Sequence, residues 1–454
     1  MNPPQHRHYS DAPAGKRQIA IAAIVLFVLT LDGLDLQLLG IVAPVVIADL
    51  GITKATFGPA LASAMIGMAI GSGVGGWIGD RFGRRNVLLF STIWFSLWTV
   101  AASYAPDVTM LIVLRFISGL GFGAASPNGL ALATEWLPHR ARPWLSALAA
   151  PCVPAGGMLG ALLALALLEP LGWRGTVAFC GLLTMIAAVP LILWLPESAA
   201  YLGAKGKLDR MNKAKAKILG SADAIMPDAN GEQAASMSTN MFTRRNLRIN
   251  IGAPLVFFLI SFTSYGFVAW TTVFLTMAGF GIEDAVRGSL FYNMFAVIGP
   301  VTGGFVVTRW GTRASLIALT LGSIAIVVAI ALLIGSGAHL TSVAMKWLLL
   351  SLIAGVGITS GVAVAAIYAV FTTGYDVACR ASGIGFGLMA GRIGGIGTMV
   401  IGGYLLSLDG RNPNYLFLSM IITQLMVLGA VAIIDRHVPP QPRRGRISAI
   451  PQEA

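Results

Sequence analysis

Residues 30–44 read TLDGLDLQLLGIVAP, and two carboxylates in this stretch, Asp32 and Asp35, set the first constraint on the fold. The stretch belongs to an apolar run that starts at Ile19 and is long enough to cross a bilayer, which places both carboxylates near the middle of the membrane. An ionised Asp at the centre of a membrane helix costs about 2.5 to 3.5 kcal/mol, so it persists only when it is paired, protonated or turned towards a polar cavity. Because the two positions are three residues apart, both carboxylates share one helix face. We therefore expect that face to look into the protein.

The composition assigns the chain to the membrane proteins. Of the 454 residues, 56% are hydrophobic and 11% are charged, whereas about 25% are charged in an average soluble domain. The net charge of +12 comes without any motif typical of nucleic-acid binding, so we expect the lipid bilayer and no nucleic acid as a partner. The three cysteines have no metal-ligand spacing, and we expect no metal and no cofactor.

Twelve apolar runs can each span a bilayer at about 20 residues per crossing. They cover residues 19–43, 55–79, 87–104, 108–132, 144–168, 175–195, 249–277, 286–308, 314–335, 344–371, 381–407 and 415–434. The prediction is an all-α membrane protein with twelve transmembrane helices in two pseudo-symmetric six-helix bundles, residues 19–195 and 249–434. A central loop at 196–248 joins the bundles, and tails at 1–18 and 435–454 flank them. The basic stretch GAKGKLDRMNKAKAKIL at 203–219 has a helical composition and is expected to lie near anionic headgroups.

The distribution of basic residues predicts the orientation. With the N-terminus inside, 24 of the 31 lysines and arginines fall on the cytoplasmic side, five on the other side, and Arg115 and Arg392 within spans. The positive-inside rule then places both termini in the cytoplasm.

A repeat supports the division into halves. GGWIGDRFGRR at 75–85 recurs as GGFVVTRWGTR at 303–313, each at the cytoplasmic end of its half's second span. A duplication of six spans is the simplest cause, and two related halves around a central site are the architecture of alternating-access carriers.

These motifs carry a resemblance. GWIGDRFGRRNVL at 76–88 resembles the loop motif of the major facilitator superfamily. DGLDLQLLGIVAP in span 1, RFISGLGFGAASPN in span 4 with EWLPHRAR after it, PES after span 6 and CRASGIGFGLMAGRIGGIG in span 11 resemble the aromatic acid:proton symporter branch, whose carriers take benzoate and hydroxybenzoates. The resemblance implies a proton-coupled carrier in the bacterial inner membrane, with Glu135 and Arg142 of the motif after span 4 among its gating residues.

The loop motif has a physical explanation of its own. Gly76 is expected to allow close helix approach, Asp80 to cap a helix or pair with an arginine, and Gly83 to permit the tight turn. With the basic residues Arg81, Arg84 and Arg85, the cluster can latch the two halves in one state and release them in the other. A plain basic turn is the alternative.

The second copy of the motif differs at one position. Thr308 stands where the first copy has Asp80. A latch at Arg309 and Arg313 is therefore expected to be weaker or to use different partners.

Two arginines inside spans need partners. Arg115 can pair with Asp32 or Asp35, either as a static ion pair or as a working pair that protonation opens. Arg392, in a glycine-rich helix without an acidic neighbour in its own half's spans, can hold a substrate carboxylate bidentately. A cross-half pair with Asp32 or Asp35, or a helix-packing role, remains the alternative for Arg392.

The start of span 11 departs from the branch. Tyr375, Asp376 and Val377 replace the Tyr-Pro-Thr that the resemblance implies before Arg380. An ion pair between Asp376 and Arg380 is expected to contribute to gating.

Aromatic and amide side chains complete the expected substrate site. Phe258, Phe262 and Tyr265 form a helical stripe in span 7, which is explained either by packing or by a flat wall for a ring-bearing substrate. The expected substrate-binding residues are Arg392, Tyr265, Trp270, Tyr292, Asn293 and Gln37.

No nucleotide-binding loop and no nucleophile constellation occurs, so the chain is not expected to be an enzyme, and transport must draw on an ion gradient. We predict a monomeric secondary carrier that imports a small organic anion, an aromatic carboxylate, with protons. Asp32, Asp35 and Arg115 would serve proton coupling. The alternatives are a carrier of another organic anion such as a dicarboxylate or muconate, an exporter or sugar carrier of the same fold, and a membrane ligand sensor.

Overall fold

The computed structural model describes residues 14–219, 241–335, 342–375, 379–408 and 413–440, and these residues are almost entirely helical. The α-helices within them are α1 (Lys16–Ile41), α2 (Ala43–Asp49), α3 (Lys54–Phe82), α4 (Arg84–Ala102), α5 (Val108–Trp136), α6 (Arg142–Ala149), α7 (Cys152–Ile186), α8 (Ala188–Trp194), α9 (Ala199–Ala204), α10 (Leu208–Leu219), α11 (Leu247–Met277), α12 (Ile282–Gly335), α13 (Val343–Gly374), α14 (Arg380–Leu408) and α15 (Asn414–Ile433). Short 3₁₀ helices precede α6 and α11.

Nine helical stretches of the described chain are long and apolar enough to cross a membrane. Two of them, Ala147–Trp194 with 48 residues and Ile282–Gly335 with 54, are too long for one crossing, because 54 helical residues would extend about 80 Å against a hydrocarbon core of about 30 Å. Each is interrupted by a glycine at positive φ, Gly172 at 64° and Gly311 at 73°, a conformation that glycine adopts without steric cost. Each stretch therefore supplies two crossings.

Helix α4 supplies the remaining crossing although it lies outside those nine stretches. Its 19 residues include four buried hydroxyl side chains, Ser91, Thr92, Ser96 and Thr99, which lower its hydropathy. Thr92 and Ser96 donate to backbone carbonyls one turn earlier, at 2.8 and 2.7 Å, so both hydroxyl groups have their hydrogen-bond acceptors within the helix. The twelve predicted spans all coincide with helices, which confirms the predicted fold class. The boundaries of the predicted bundles, loop and tails stay a prediction.

At the N-terminus of three spanning helices, a side chain caps the first turn. The Thr53 hydroxyl accepts from Thr56 N at the start of α3, the Asp107 carboxylate from Met110 N at α5, and the Ser342 hydroxyl from Met345 N at α13. Each satisfies a backbone donor that the first helical turn leaves without an intrahelical partner.

Helix packing defines an N-terminal half (residues 14–219) and a C-terminal half (residues 241–440). In the first, α3 packs on α5 and α1 on α7; in the second, α12 packs on α13, and α11 on α14 and α15. The halves meet where α3 contacts α14, α7 contacts α12 and α1 contacts α11. Small residues permit this close contact, as expected for membrane helices.

The contacts between the halves concentrate away from the side where α1 begins and α15 ends, called the termini side below. Thr272, near the end of α11, donates to Gly40 O near the end of α1 at 2.7 Å. Lys54, the first residue of α3, reaches Leu406 O near the end of α14 at 3.5 Å. These helix ends all lie opposite the termini side, so the two halves are closed against each other there.

Candidate functional site

The two carboxylates of α1 have different surroundings. Asp35 Oδ2 accepts from Arg115 Nη1 of α5 at 2.8 Å, and Arg115 Nη2 donates to Asp35 O at 3.1 Å. Both side chains are only 2% exposed. Of the two predicted partners of Arg115, the structure therefore selects Asp35.

Asp32 lies one turn earlier and has neither an ion pair nor a hydrogen bond among the described residues. Its side chain is 8% exposed, and Oδ1 is buried without a donor. Helix α7 passes close by, since a methyl group on Gly156 would lie 2.0 Å from Thr30 O of α1. The shared helix face of Asp32 and Asp35 looks into the protein, as predicted, yet only one of the two charges is compensated.

Two amide side chains from opposite halves meet at Gly157 of α7. A methyl group on Gly157 would lie 2.4 Å from Gln37 Oε1 and 2.5 Å from Asn293 Oδ1, so only glycine leaves room for both. Gln37 Nε2 donates to Val153 O and Asn293 Nδ2 to Ser289 O, but neither amide oxygen has a donor. The site therefore holds two buried acceptors side by side.

Arg392 of α14 reaches across to the N-terminal half. Its Nη1 donates to Ser72 Oγ of α3, and it has no carboxylate partner among the described residues. The predicted alternative of a cross-half pair with Asp32 or Asp35 is not what the structure shows. The sequence did not identify Ser72 as a partner of Arg392, because serines are common in apolar spans and the two residues are more than 300 positions apart.

Two tyrosines lie in the vicinity of Arg392. Tyr265 packs against Gly395 and Met65, where a methyl group on Gly395 would lie 2.8 Å from the Tyr265 ring. Tyr265 and Tyr368 both lie within electrostatic range of the Arg392 guanidinium. Tyr368 of α13 was missed by sequence reasoning. Its side chain is 36% exposed.

Beside Tyr368, rings from two helices form an aromatic corner. Tyr368 meets Phe257 edge to face, with ring centroids 5.7 Å apart, and Phe371 meets Phe257 in the same way at 5.9 Å. Phe371 is fully buried and Phe257 is nearly so, which leaves the Tyr368 ring as the accessible surface of this corner.

The other two predicted aromatic residues are packed more tightly. Tyr292 stacks on Phe267 and donates to Ser264 O at 3.1 Å. Trp270 is fully buried, donates to Thr398 O at 3.2 Å and meets Phe57 edge to face. In this conformation Trp270 joins the closed side of the two halves, and its contact with substrate stays a prediction.

The first loop motif forms an ion-pair cluster within the N-terminal half. Arg84 pairs with Asp80 at 3.2 Å and with Glu135 of α5, which also accepts from Ser198 Oγ at 2.6 Å. Gly83 has a positive φ of 100°, as a tight turn there requires. The prediction that Gly76 permits close helix approach is wrong for this conformation, because a methyl group on it would meet no atom within 4 Å.

The other basic residues of the motif contact the same surface. Arg85 N donates to Glu197 Oε1 at 3.0 Å and Arg85 Nη2 to Ile192 O at 2.7 Å. The Arg81 guanidinium lies 5.6 Å from the ring centre of Trp77. Arg142, the last residue of the motif that follows span 4, begins α6.

The second loop motif contacts the segment that follows α15. Thr312 N donates to Val438 O at 3.0 Å, Val438 N donates to Thr312 Oγ1 at 2.9 Å, and Thr312 Oγ1 lies 3.2 Å from His437 Nδ1. Thr308 donates to its own helix at Gly304 O. Burial, together with the nearby Arg313 guanidinium, holds the pKa of His437 below its usual range, although a backbone contact and Asp435 oppose the shift. Arg309 lies in α12 just before the turn at Gly311.

The predicted ion pair at the start of span 11 lies outside the described residues, since Asp376 and the Arg380 side chain are not among them. The neighbouring Tyr375 is buried, which raises its pKa to about 12, and its hydroxyl donates to Asn250 Oδ1 at 2.9 Å. Within the described ranges no group of three or more His, Cys, Asp or Glu side chains could hold a metal ion.

Comparisons with known proteins give consistent matches along the chain. A sequence model of the Major Facilitator Superfamily matches residues 25–399. The gallate transporter of Pseudomonas putida is 31% identical over 404 residues, which cover 88% of each chain, and the 4-hydroxybenzoate transporter PcaK of Pseudomonas aeruginosa is 28% identical over 93% of each. Among solved structures, the xylose transporter XylE from E. coli, in a partially occluded inward open conformation, superposes with a TM-score of 0.71 at 16% identity, over 93% of this chain and 99% of that one.

Proposed function

The chain belongs to the major facilitator superfamily, and from that premise we propose that it imports an aromatic carboxylate together with protons by alternating access. The names of its relatives, a gallate transporter and a 4-hydroxybenzoate transporter, support the substrate class. One observation carries the proposal. Asp32 has no cation and Arg392 has no carboxylate among the described residues, so the site holds two opposite charges that the protein itself leaves uncompensated.

Arg392 is the proposed receptor for the substrate carboxylate. Its guanidinium has five N–H donors in a planar fork that fits a carboxylate bidentately, and Ser72 takes up only one of its nitrogens. A guanidinium without an anion is costly inside a membrane and cannot lose its proton. Binding of the substrate anion removes that cost, which makes the site selective for carboxylates.

The aromatic corner is the proposed wall for the ring. Tyr368 and Tyr265 lie near Arg392, and the buried rings of Phe257 and Phe371 support Tyr368 from behind. Offset and edge-to-face contacts between rings contribute about 0.5 to 1.5 kcal/mol each beyond the burial of apolar area. A flat substrate held by its carboxylate at Arg392 can therefore lie against this wall.

Gln37 and Asn293 are the proposed partners of ring hydroxyl groups. Their two amide oxygens lie beside each other without a donor, and a buried acceptor without a donor costs about 1 to 3 kcal/mol. A phenolic hydroxyl supplies that donor, whereas an unsubstituted ring leaves the acceptors unsatisfied. We therefore expect a hydroxylated benzoate to be preferred over benzoate.

Asp32 is the proposed proton carrier, and the pair of Asp35 and Arg115 is proposed to hold α1 against α5. Protonation of Asp32 removes the uncompensated charge near the membrane centre, and substrate neutralises Arg392. The occluded carrier then reorients without a net charge in its site. One proton per monoanion moves no net charge, so the pH gradient alone supplies about 1.36 kcal/mol per unit. A second proton would add the membrane potential, about 2.3 kcal/mol per 100 mV.

We propose that the carrier lies in a bacterial inner membrane as a monomer, with both termini in the cytoplasm. The excess of basic residues on the termini side supports this orientation. The closure of the halves opposite that side, through Thr272 with Gly40 and Lys54 with Leu406, supports an inward-facing state.

Uptake of labelled 4-hydroxybenzoate into proteoliposomes, with and without an imposed inward proton gradient, tests the proposal. We expect wild type to accumulate the substrate only with the gradient. Asp32→Asn is expected to lose gradient-driven accumulation at least tenfold while it retains exchange of internal for external substrate, because asparagine mimics the protonated acid. Arg392→Gln is expected to lose both activities.

Glu169→Gln and Arg287→Gln serve as matched controls, since each removes the same charge at an exposed position far from the site. Both should transport at the wild-type rate. Gradient-driven accumulation by Asp32→Asn at the wild-type level would show that the proton is carried elsewhere. Wild type that accumulates no aromatic acid under any gradient would refute the substrate class.

A further inference from the structure

A cavity of about 800 Å³ lies at the termini side of the N-terminal half, separate from the transport site. Its walls come from the start of α1, the first residues of α4, the end of α8, and helices α9 and α10. Six basic residues line it: Arg17, Arg85, Lys207, Arg210, Lys213 and Lys217. The volume is within the range of about 300 to 1,000 Å³ that is typical of small-molecule sites.

Helix α10 presents one continuous face to this cavity. Arg210, Lys213, Ala214, Lys217 and Ile218 all line it, and their spacing of three and four residues puts them on a single side of the helix. The helix is held in place, because Arg17 Nη1 donates to Lys217 O. Ala214 and Ile218 also pack on the apolar cluster around α1.

Among the residues that the structure describes, Glu197 is the one acidic residue that lines the cavity. Its Oε1 accepts from Arg85 N at 3.0 Å and from Ser198 N at 2.9 Å, so this carboxylate is already engaged with the first turns of α4 and α9. The described lining therefore carries an excess of positive charge, which favours an anion.

Another part of the cavity wall is apolar and, at the end of α8, exposed. Ile192, Leu193 and Trp194 at the end of α8 are 48%, 61% and 65% exposed, and Ile21 and Ile24 of α1 continue this wall. Tryptophan at the end of a spanning helix is typical of the boundary between hydrocarbon and headgroups. The cavity thus joins a basic surface at headgroup level to an apolar surface at acyl-chain level.

We propose that this cavity is a binding site for an anionic phospholipid. Its phosphate lies against Arg210, Lys213 and Lys217 of α10, and an acyl chain lies along Ile192 and Leu193. The basic side chains provide the anion recognition that clusters of four to eight lysines and arginines next to a spanning helix provide. The exposed apolar wall distinguishes a lipid from a soluble phosphate, which would leave that wall unused. This site is independent of the transported substrate.

Native mass spectrometry of the full-length protein in detergent tests this proposal. Phosphatidylglycerol and phosphatidylethanolamine with identical acyl chains are added at equal concentration, and the retained lipid is counted. We expect wild type to retain phosphatidylglycerol in preference to phosphatidylethanolamine. Lys213→Gln/Lys217→Gln is expected to lower the retained phosphatidylglycerol about tenfold, since each basic residue near a lipid surface contributes measurably to anion binding.

Lys205→Gln/Lys215→Gln is the matched control, because it removes two lysines from the same segment that do not line the cavity. It should retain phosphatidylglycerol as wild type does. Far-UV circular dichroism and the melting temperature of each variant verify that the fold is intact. Equal retention of both lipids by wild type, or equal loss in the control and the cavity variant, would overturn the proposal.

A competition arm separates the lipid from a soluble phosphate. We expect sn-glycerol 3-phosphate, which has the phosphate without the chains, to leave the bound phosphatidylglycerol in place even in large excess. Displacement by sn-glycerol 3-phosphate at equal concentration would assign the cavity to a soluble phosphate compound instead.

Discussion

The two halves of the molecule differ in how they compensate the arginines that are buried or partly buried in them. The N-terminal half pairs Arg115 with Asp35 at 2.8 Å in a site that is 2% exposed, and pairs Arg84 with Asp80 and Glu135 at the termini side. The C-terminal half gives Arg392 only the Ser72 hydroxyl, which belongs to the other half. An ion pair that is complete within one half is suited to hold helices together, whereas an arginine without an anion is suited to bind one.

The same contrast separates two residues of one helix. Asp35 is neutralised by Arg115, and Asp32, one turn away, has no partner among the described residues. Asp35 therefore belongs to a complete ion pair, whereas Asp32 is the carboxylate of this helix that the described residues leave without a cation. The uncompensated charges are therefore one carboxylate in the first half and one guanidinium in the second.

The largest expected effect comes from breaking the complete pair. Arg115→Leu leaves Asp35 buried and unpaired, which costs about 3 to 5 kcal/mol of folding free energy. Arg392→Leu should cost far less, because it strands no carboxylate. Thermal unfolding in detergent compares the two variants, and Asp35→Leu/Arg115→Leu should recover most of the loss. Equal melting temperatures of Arg115→Leu and Arg392→Leu would remove the distinction between the two arginines.

The next effect separates recognition of the ring from recognition of the carboxylate. Asn293→Leu removes one of the two amide acceptors, keeps the branching of the side chain at Cγ and leaves Arg392 unchanged. We expect the preference for 4-hydroxybenzoate over benzoate to fall about tenfold, because a satisfied hydroxyl acceptor contributes about 1 to 3 kcal/mol to discrimination. Competition of unlabelled benzoate against labelled 4-hydroxybenzoate measures this preference. An unchanged preference would exclude Asn293 from the hydroxyl site.

A smaller effect is expected at the loop motif of the N-terminal half. Arg84→Gln removes a pair with Asp80, which is 69% exposed, and a pair with Glu135, whose side chain is 5% exposed but keeps the Ser198 hydroxyl as a donor, so we expect a smaller loss of stability than for Arg115→Leu. Transport should fall severalfold more than stability if the cluster latches one state of the cycle. The melting temperature and the uptake rate of the same preparation test this. If the uptake rate falls only in proportion to the stability, the cluster is a basic turn without a latching role.

The smallest effect concerns the second loop motif, which uses hydroxyl and backbone contacts in place of ion pairs. The pKa of His437 is lowered in the folded chain, so the packing of residues 434–440 is at full strength above the unfolded pKa of about 6.5 and weakens as the pH falls below it. Hydrogen exchange of this segment, corrected for intrinsic rates, should be faster at about pH 5.5 than at about pH 7.5. His437→Gln should remove the dependence. If hydrogen exchange of the segment still depends on pH in His437→Gln, another titrating group causes that dependence.

Much of the candidate site was predictable because charges inside apolar runs stand out. Asp32, Asp35, Arg115 and Arg392 were all found in this way. Ser72 and Tyr368 were not, since a serine and a tyrosine are ordinary residues of membrane helices and only their distance from Arg392 gives them significance. Gly76 was assigned a packing role that the structure does not support, because spacing alone does not tell which face of a glycine meets another helix.

The sequence by itself determined that the chain crosses the membrane in twelve helices, because hydrophobic length and helical hydrogen bonding are local properties in a bilayer. It also determined that Asp32 and Asp35 share one face, since that follows from helical periodicity. Only the tertiary structure decided which of the two is compensated. The choice depends on the depth at which α5 lies against α1, and this depth is set by packing between residues 80 positions apart. The basic cavity of α10 was decided in the same way, because it requires three distant segments, at 17–24, 85–86 and 192–218, to meet at one surface.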